Sequence, residues 1–227
     1  MWIILLSLFA FAKGAVGEID CDKYFFEQCE RPKLFDEIPR EVEVFKDLCP
    51  EISPYIECSR DYDMKCEEED RRRFKNPEAY ANFIDMFDEI CEEGSILNEI
   101  ATSNLKCFNE TFSNTNCRQE MDVFLNPYEK EVPLDEFTTT HVIPERVHCL
   151  SMILLTNCIL TDITNNCGIK ARYFAVEYVE KSGFVDGSCP LRYRESLLPD
   201  IDEFNLNEEQ KTFAISELER MKISDDV

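Results

Sequence analysis

The sequence predicts an all-α fold: a helical bundle stapled by disulfides and arranged as two pseudo-repeated halves. Three observations predict it. Apolar residues recur at three- and four-residue steps over most of the chain, the period of a helix with one buried face. The 227 residues hold 12 cysteines, and an even count in a secreted chain is the arithmetic of a disulfide framework. Glycine occurs six times in all, and no alternating apolar–polar run is bounded by turns, which argues against a sandwich or barrel.

The elements follow in chain order. MWIILLSLFAFAKGAVG opens with an apolar run from Ile3 to Ala12 and continues with small residues. Ala15 and Gly17 fit a cut before Glu18; Ala12 and Gly14 fit one before Ala15. Residues 1–17 thus read as a secretory signal peptide. The competing reading is a membrane anchor. A spanning helix takes roughly 20 apolar residues, and Lys13 interrupts this run early. The later segment LSMILLTNCIL is shorter still and carries Asn157.

Residues 18–125 read as a first cysteine-rich helical half. Pro39 opens one helix, PREVEVFKDLC. Ser53 and Pro54 open the next, which runs to about Phe74 and sets Glu67, Glu68 and Glu69 four residues before Arg71, Arg72 and Arg73, the favoured ion-pair order. The arginines read as a solvated helix face, with a processing site for a basic-specific protease as the alternative. In NPEAYANFIDMFDEICEEG, Asn76 is a cap, Pro77 suits the first helical position and Gly94 is a stop. Tyr80, Phe83, Ile84, Phe87, Ile90 and Cys91 form its apolar face, read as core. Ser95–Lys106 and Asn116–Leu125 are further helices, the second broken by Asn126-Pro127.

Residues 126–140, polar and proline-bearing, read as a linker. Residues 141–190 form a second helical half, with Pro144 starting an apolar helix through Cys158 and Lys170–Lys181 a further helix closed by Gly183. Residues 191–227 read as a tail with an amphipathic helix capped by Asn207. Its partial stripe of Phe213, Ile215, Leu218 and Met221 suits docking on the outside of the bundle or binding a partner.

All 12 cysteines fall after the leader: Cys21, Cys29, Cys49, Cys58, Cys66, Cys91, Cys107, Cys117, Cys149, Cys158, Cys167 and Cys189. Structural zinc sites bring ligands in pairs with two to four residues between them, and no cysteines here are that close: Cys58 and Cys66, like Cys21 and Cys29, have seven residues between them. A thiol nucleophile needs a histidine base and leaves one cysteine over. The count is even, and His148 beside Cys149 points away from it on a helix. No G-x-S-x-G, H-E-x-x-H or phosphate-cradling glycine loop is present. The cysteines therefore read as staples, with no catalytic residue, no metal and no cofactor assigned. Geometry adds a constraint. Cys149 and Cys158 are nine residues apart, which on one helix places them on opposite faces and about 13 Å apart. A disulfide tolerates about 7 Å between Cα atoms, so each must reach a different neighbouring helix.

The spacing also points to a duplication. Cys49, Cys58 and Cys66 precede an aromatic helix and Cys91; Cys149, Cys158 and Cys167 precede ARYFAVEYVEKSGF and Cys189. Two copies should share one connectivity, which the sequence leaves open among 15 arrangements for six cysteines.

With 47 acidic against 24 basic residues the net charge is −23. Such a chain repels nucleic acid and anionic membrane surfaces. DIDEFNLNEE, Asp200–Glu209, is no EF-hand: Asn205 stands where that loop needs glycine. Asn109 in NET is the one N-x-S/T acceptor. It lies between Cys107 and Cys117 in an Asn-, Ser- and Thr-rich stretch, which reads as an exposed, glycosylated loop.

The C-x8-C-x7/8-C blocks, each followed by an aromatic helix and another cysteine, resemble small secreted cysteine-rich helical proteins of invertebrates. Among these are the arthropod hemolymph glycoproteins of about 27 kDa and nematode secreted domains of unknown function. The resemblance spans Cys21 to Pro190 in spacing. It implies an extracellular, helical, disulfide-bonded protein without enzymatic activity. Insect odorant-binding proteins share C-x8-C but also carry a C-x3-C pair, absent here.

The reading that follows is a secreted, non-enzymatic carrier or interaction module of body fluid. Its partner would be an extracellular protein or a small apolar ligand, with no nucleic acid and no membrane insertion. The alternatives are a venom component acting on a receptor or channel, and a hydrolase with paired carboxylates.

Overall fold

The structure, a computed structural model, describes residues 19–33, 37–66, 77–133, 139–182, 185, 189 and 191–224. The leader over 1–17, the Asn76 cap, the run Arg71–Arg73 and the Gly183 stop lie outside these residues. In chain order the elements are α1 (Phe25–Gln28), α2 (Val42–Leu48), α3 (Ile52–Cys66), α4 (Pro77–Cys91), α5 (Ile96–Asn114), α6 (Cys117–Leu125), β1 (Lys130–Pro133), β2 (Thr139–Val142), α7 (Glu145–Cys167), α8 (Ile169–Lys181), α9 (Leu191–Asp200) and α10 (Glu208–Ser224). The fold is a disulfide-stapled all-α bundle with one short ribbon.

Local chemistry sets several boundaries. Ser95 Oγ accepts from the Asn98 amide at 3.0 Å and starts α5. Gln210 N donates to Asn207 Oδ1 at 2.9 Å while Asn207 N donates to Gln210 Oε1 at 3.0 Å, a reciprocal cap for α10. Gly168, at φ 87° and ψ 178°, takes an extended positive-φ conformation open to glycine, which ends α7 and lets α8 begin at the next residue.

α7 is the central element, packed against α5, α6, α8, α9 and α10. Its length and composition would suffice to cross a membrane. Here Cys149 and Leu150 are fully buried, Ile153, Leu154 and Ile163 nearly so, and these residues form the heart of two core clusters. Cys149, Cys158 and Cys167 follow one another at half-turn offsets, and they bond to Cys189, Cys117 and Cys107. One helix is thus held from two sides by three different segments.

The other bridges are Cys21–Cys66, Cys29–Cys58 and Cys49–Cys91. Within each consecutive set of six, the first cysteine joins the fifth, the second the fourth and the third the sixth. The duplication therefore shares one connectivity, and its copies are Cys21–Cys91 and Cys107–Cys189. This moves the boundary the sequence implied. Cys107 and Cys117, placed in a first half ending at 125, are bonded into the second set. The halves are also not independent bodies. Phe174 and Tyr178 of α8 pack into the cluster of Phe45, Ile52, Met86 and Phe87, with Tyr178 edge-on to Phe87 at 5.9 Å between ring centres.

Three further expectations change. Residues 126–140 are no plain linker: Asn126–Tyr128 form a 3-10 turn, and β1 pairs antiparallel with β2, Lys130 opposite Val142. The Tyr128 ring lies 5.5 Å from Phe124 and 5.8 Å from Phe204, which anchors the turn. The tail helix docks on the bundle through a fully buried face rather than a partial stripe. Ala214 and Leu218 of α10 are fully buried, within the cluster of Leu150, Leu154 and Leu197. Arg146 of α7 fastens the connection before α10, pairing with Asp200 at 3.0 Å and Glu203 at 3.7 Å. The helices around Asn109 and Cys158 are also longer than read, α5 running on to Asn114 and α7 to Cys167.

Candidate functional site

A cleft of about 740 Å³ opens between α3 and the segment that carries Cys29. Glu51, Pro54, Tyr55 and Cys58 supply one wall, at the i, i+3, i+4 and i+7 positions of a single helix stripe. Cys29, Glu30, Arg31, Pro32 and Lys33 supply the facing wall, and Ile19, Asp20, Lys23 and Gln28 close one end. The Cys29–Cys58 bridge is shared by both walls.

The N-terminal end is held by a web of hydrogen bonds. The Asp20 amide donates to Gln28 Oε1 at 2.7 Å, and Gln28 Nε2 returns to the Asp20 carbonyl at 2.8 Å. Lys65 Nζ donates to the Ile19 carbonyl at 2.6 Å and the Tyr62 hydroxyl to the Lys23 carbonyl at 3.2 Å. Beneath them Phe25 meets Tyr55 and Tyr62 edge-on, at 5.8 and 5.5 Å between ring centres. A site built this way has little ordering entropy left to lose on binding.

The cleft differs electrostatically from the chain around it. Lys23, Arg31 and Lys33 balance Asp20, Glu30 and Glu51 at its rim, whereas the sequence carries about two acids for every base. The site suits a partner bearing both signs of charge.

Among the described residues all the cysteines are paired. Cys117, Cys158 and Asp162 lie close enough together to suggest a metal site. The two sulfurs are already bonded to each other and carry no thiolate for a metal. Asp162 instead accepts from the Thr115 hydroxyl at 2.6 Å, beside the start of α6. His148 is exposed, while its neighbour Cys149 is buried and bonded to Cys189. The two form no catalytic pair.

Asn109 is the principal correction to the site residues. It lies inside α5 rather than in an exposed loop, and is 3% exposed. Its Nδ2 donates to the Ile38 carbonyl at 2.6 Å and to Glu37 Oε1 at 3.3 Å, and its Oδ1 accepts from Arg40 Nε at 2.8 Å. Thr111, the other end of the acceptor motif, is also buried, with its hydroxyl 3.5 Å from Cys167 Sγ and accepting from Asn166 Nδ2 at 3.3 Å. This is a tertiary clasp between α5 and the chain leading into α2.

The cleft was not read from the sequence, although a signal for it exists. Shifting Glu51, Pro54, Tyr55 and Cys58 by 100 residues gives Ser151, Leu154, Leu155 and Cys158. One stripe keeps leucines where the other has proline and tyrosine. No family model matches the chain, and neither a curated protein nor a solved structure matches it.

Proposed function

We propose that this is an extracellular, non-catalytic interaction module of body-fluid type that binds another protein through the cleft beside Cys29–Cys58. The likeness in cysteine spacing to arthropod hemolymph and nematode secreted proteins belongs to the same proposal. The observation that carries it is the cleft itself: open, stiffened by a disulfide and rimmed by balanced charge. Six disulfides and a net charge of −23 suit a soluble life in an oxidising fluid. A carrier of small apolar ligands has less support. The aromatic rings that would wall an apolar cavity pack on one another instead, Phe83 on Phe87 and Phe108 on Phe174.

Native mass spectrometry of the protein from its natural source tests this reading. A co-purifying polypeptide is the expected result. A small apolar ligand in stoichiometric amount would overturn it, and so would turnover of a substrate.

A further inference from the structure

The two halves share one disulfide pattern, so each can be used to read the other. In the second half Cys117 opens α6, which runs back along α7 from its bridge to Cys158. Met121, Phe124 and Leu125 of α6 join the cluster of Leu154 and Leu155. That side of α7 is sealed: Ser151 is 3% exposed and Leu154 2%. In the first half the corresponding cysteine is Cys29, bridged to Cys58, and the corresponding stripe is Glu51, Pro54 and Tyr55 of α3 and its leading turn. There Glu51 and Pro54 are exposed and the space beside them is the cleft.

The sequence explains why no helix begins at Cys29 as one begins at Cys117. α6 begins with the Glu120 amide donating to the Asn116 carbonyl at 3.0 Å. Counted from the paired cysteines, Glu120 corresponds to Pro32 and Asn116 to Gln28. Proline has no N–H, so the first i→i−4 bond cannot form. Residues 29–32 accordingly hold no regular helix. The cleft lies beside α3 where α6 lies beside α7 in the other half.

We infer that the cleft is the docking groove for an amphipathic helix of a partner protein, seated on α3 as α6 seats on α7. The inference rests on the interaction reading above and deepens it. The occupant carries apolar residues at three- and four-residue spacing toward Pro54 and Tyr55. It also carries both acidic and basic residues along its flanks, opposite Lys23, Arg31 and Lys33 and opposite Asp20, Glu30 and Glu51. This is helix-in-groove recognition, in which i, i+3, i+4 and i+7 anchors fill a preformed trough.

The test pans the full-length oxidised protein against two displayed libraries of 15-residue peptides, one constrained to helix by side-chain staples and one carrying a central proline. The inference expects enrichment from the helical library only. It also expects binding to weaken about tenfold or more in Pro54→Trp, which fills the groove, and in Glu51→Arg, which inverts a rim charge. Both positions are exposed, so the fold tolerates the changes, and near-ultraviolet circular dichroism verifies this. Binding should be unchanged in Ile169→Arg, on an exposed position of α8. Equal enrichment from both libraries, binders indifferent to Pro54→Trp and Glu51→Arg, or no binder at all would overturn it. Binders lost in Ile169→Arg alone would sink the groove and leave the interaction reading intact. That reading falls only on the native co-purification test.

Discussion

Asn109 Nδ2 donates to the backbone carbonyl of Ile38 at 2.6 Å, inside the fold. The atom that would carry a glycan is therefore the atom that joins α5 to the chain entering α2. A sugar there would replace one of the two N–H groups that Asn109 donates to Ile38 and Glu37, at a side chain only 3% exposed. The folded protein is expected to show no mass change on treatment with an N-glycosidase. Asn109→Ala should destabilise it by about 2 kcal/mol, since it strands a carbonyl that the amide now satisfies. Urea denaturation of the variant measures this.

Peptide mapping of unreduced protein should recover Cys21–Cys66, Cys29–Cys58 and Cys49–Cys91 together with Cys107–Cys167, Cys117–Cys158 and Cys149–Cys189. A thiol assay on the denatured, unreduced chain should read zero. Replacing Cys117 and Cys158 together by serine should cost about 3 kcal/mol, because the Cys107–Cys167 bridge already shortens the loop being released.

α10 should matter to stability out of proportion to its place at the end of the chain. Leu218 is fully buried between α10 and the α7 core. Leu218→Ala should lower the unfolding free energy by about 3 kcal/mol, the usual cost of a large-to-small change in a packed core. Glu219→Ala, at the exposed residue next to it, should change it by less than about 0.5 kcal/mol. Parallel denaturant titrations compare the two.

Alkaline pH should loosen the contact between the halves. Burial beside Phe87 pushes the Tyr178 hydroxyl above its ordinary value. The folded chain holds this proton more tightly than the unfolded one does. The stabilisation is therefore complete below about pH 10, the unfolded value, and is lost as pH rises through the higher folded value. Tyr178→Phe should lose less stability than the parent chain over that range, as read by urea midpoints at increasing pH.

Much of the fold was legible because local and tertiary demands agreed. In α4 the apolar residues, the proline and the glycine all mark one helix, and the structure places it at Pro77–Cys91. The half-turn offset of Cys149 and Cys158 forced different partners by geometry alone. The failures have physical causes. Asn, Ser and Thr around Asn109 compose well for a loop, and their side-chain bonds within α5 and to Arg40 and Ile38 cannot be read from composition. α10 looked weakly amphipathic because the fully buried pair among its described side chains includes Ala214, which adds little to an apolar stripe. β1 reads Lys-Glu-Val-Pro, with no alternation to betray a strand. The cleft needed both halves side by side, since Pro54 and Tyr55 stand out only against Leu154 and Leu155.

The nested bridges also decide what happens to a chain that has been nicked. One peptide bond may be severed anywhere from Cys21 to Cys91 without parting the pieces, and the same is true from Cys107 to Cys189. A trypsin-like cut after Arg73 would leave a two-chain molecule still sewn together by Cys49–Cys91. Between the two cystine sets only residues 92–106 are unprotected. Most of them are wound into α5, where Leu97, Ala101 and Leu105 face inward and shut the backbone away from a digestive enzyme.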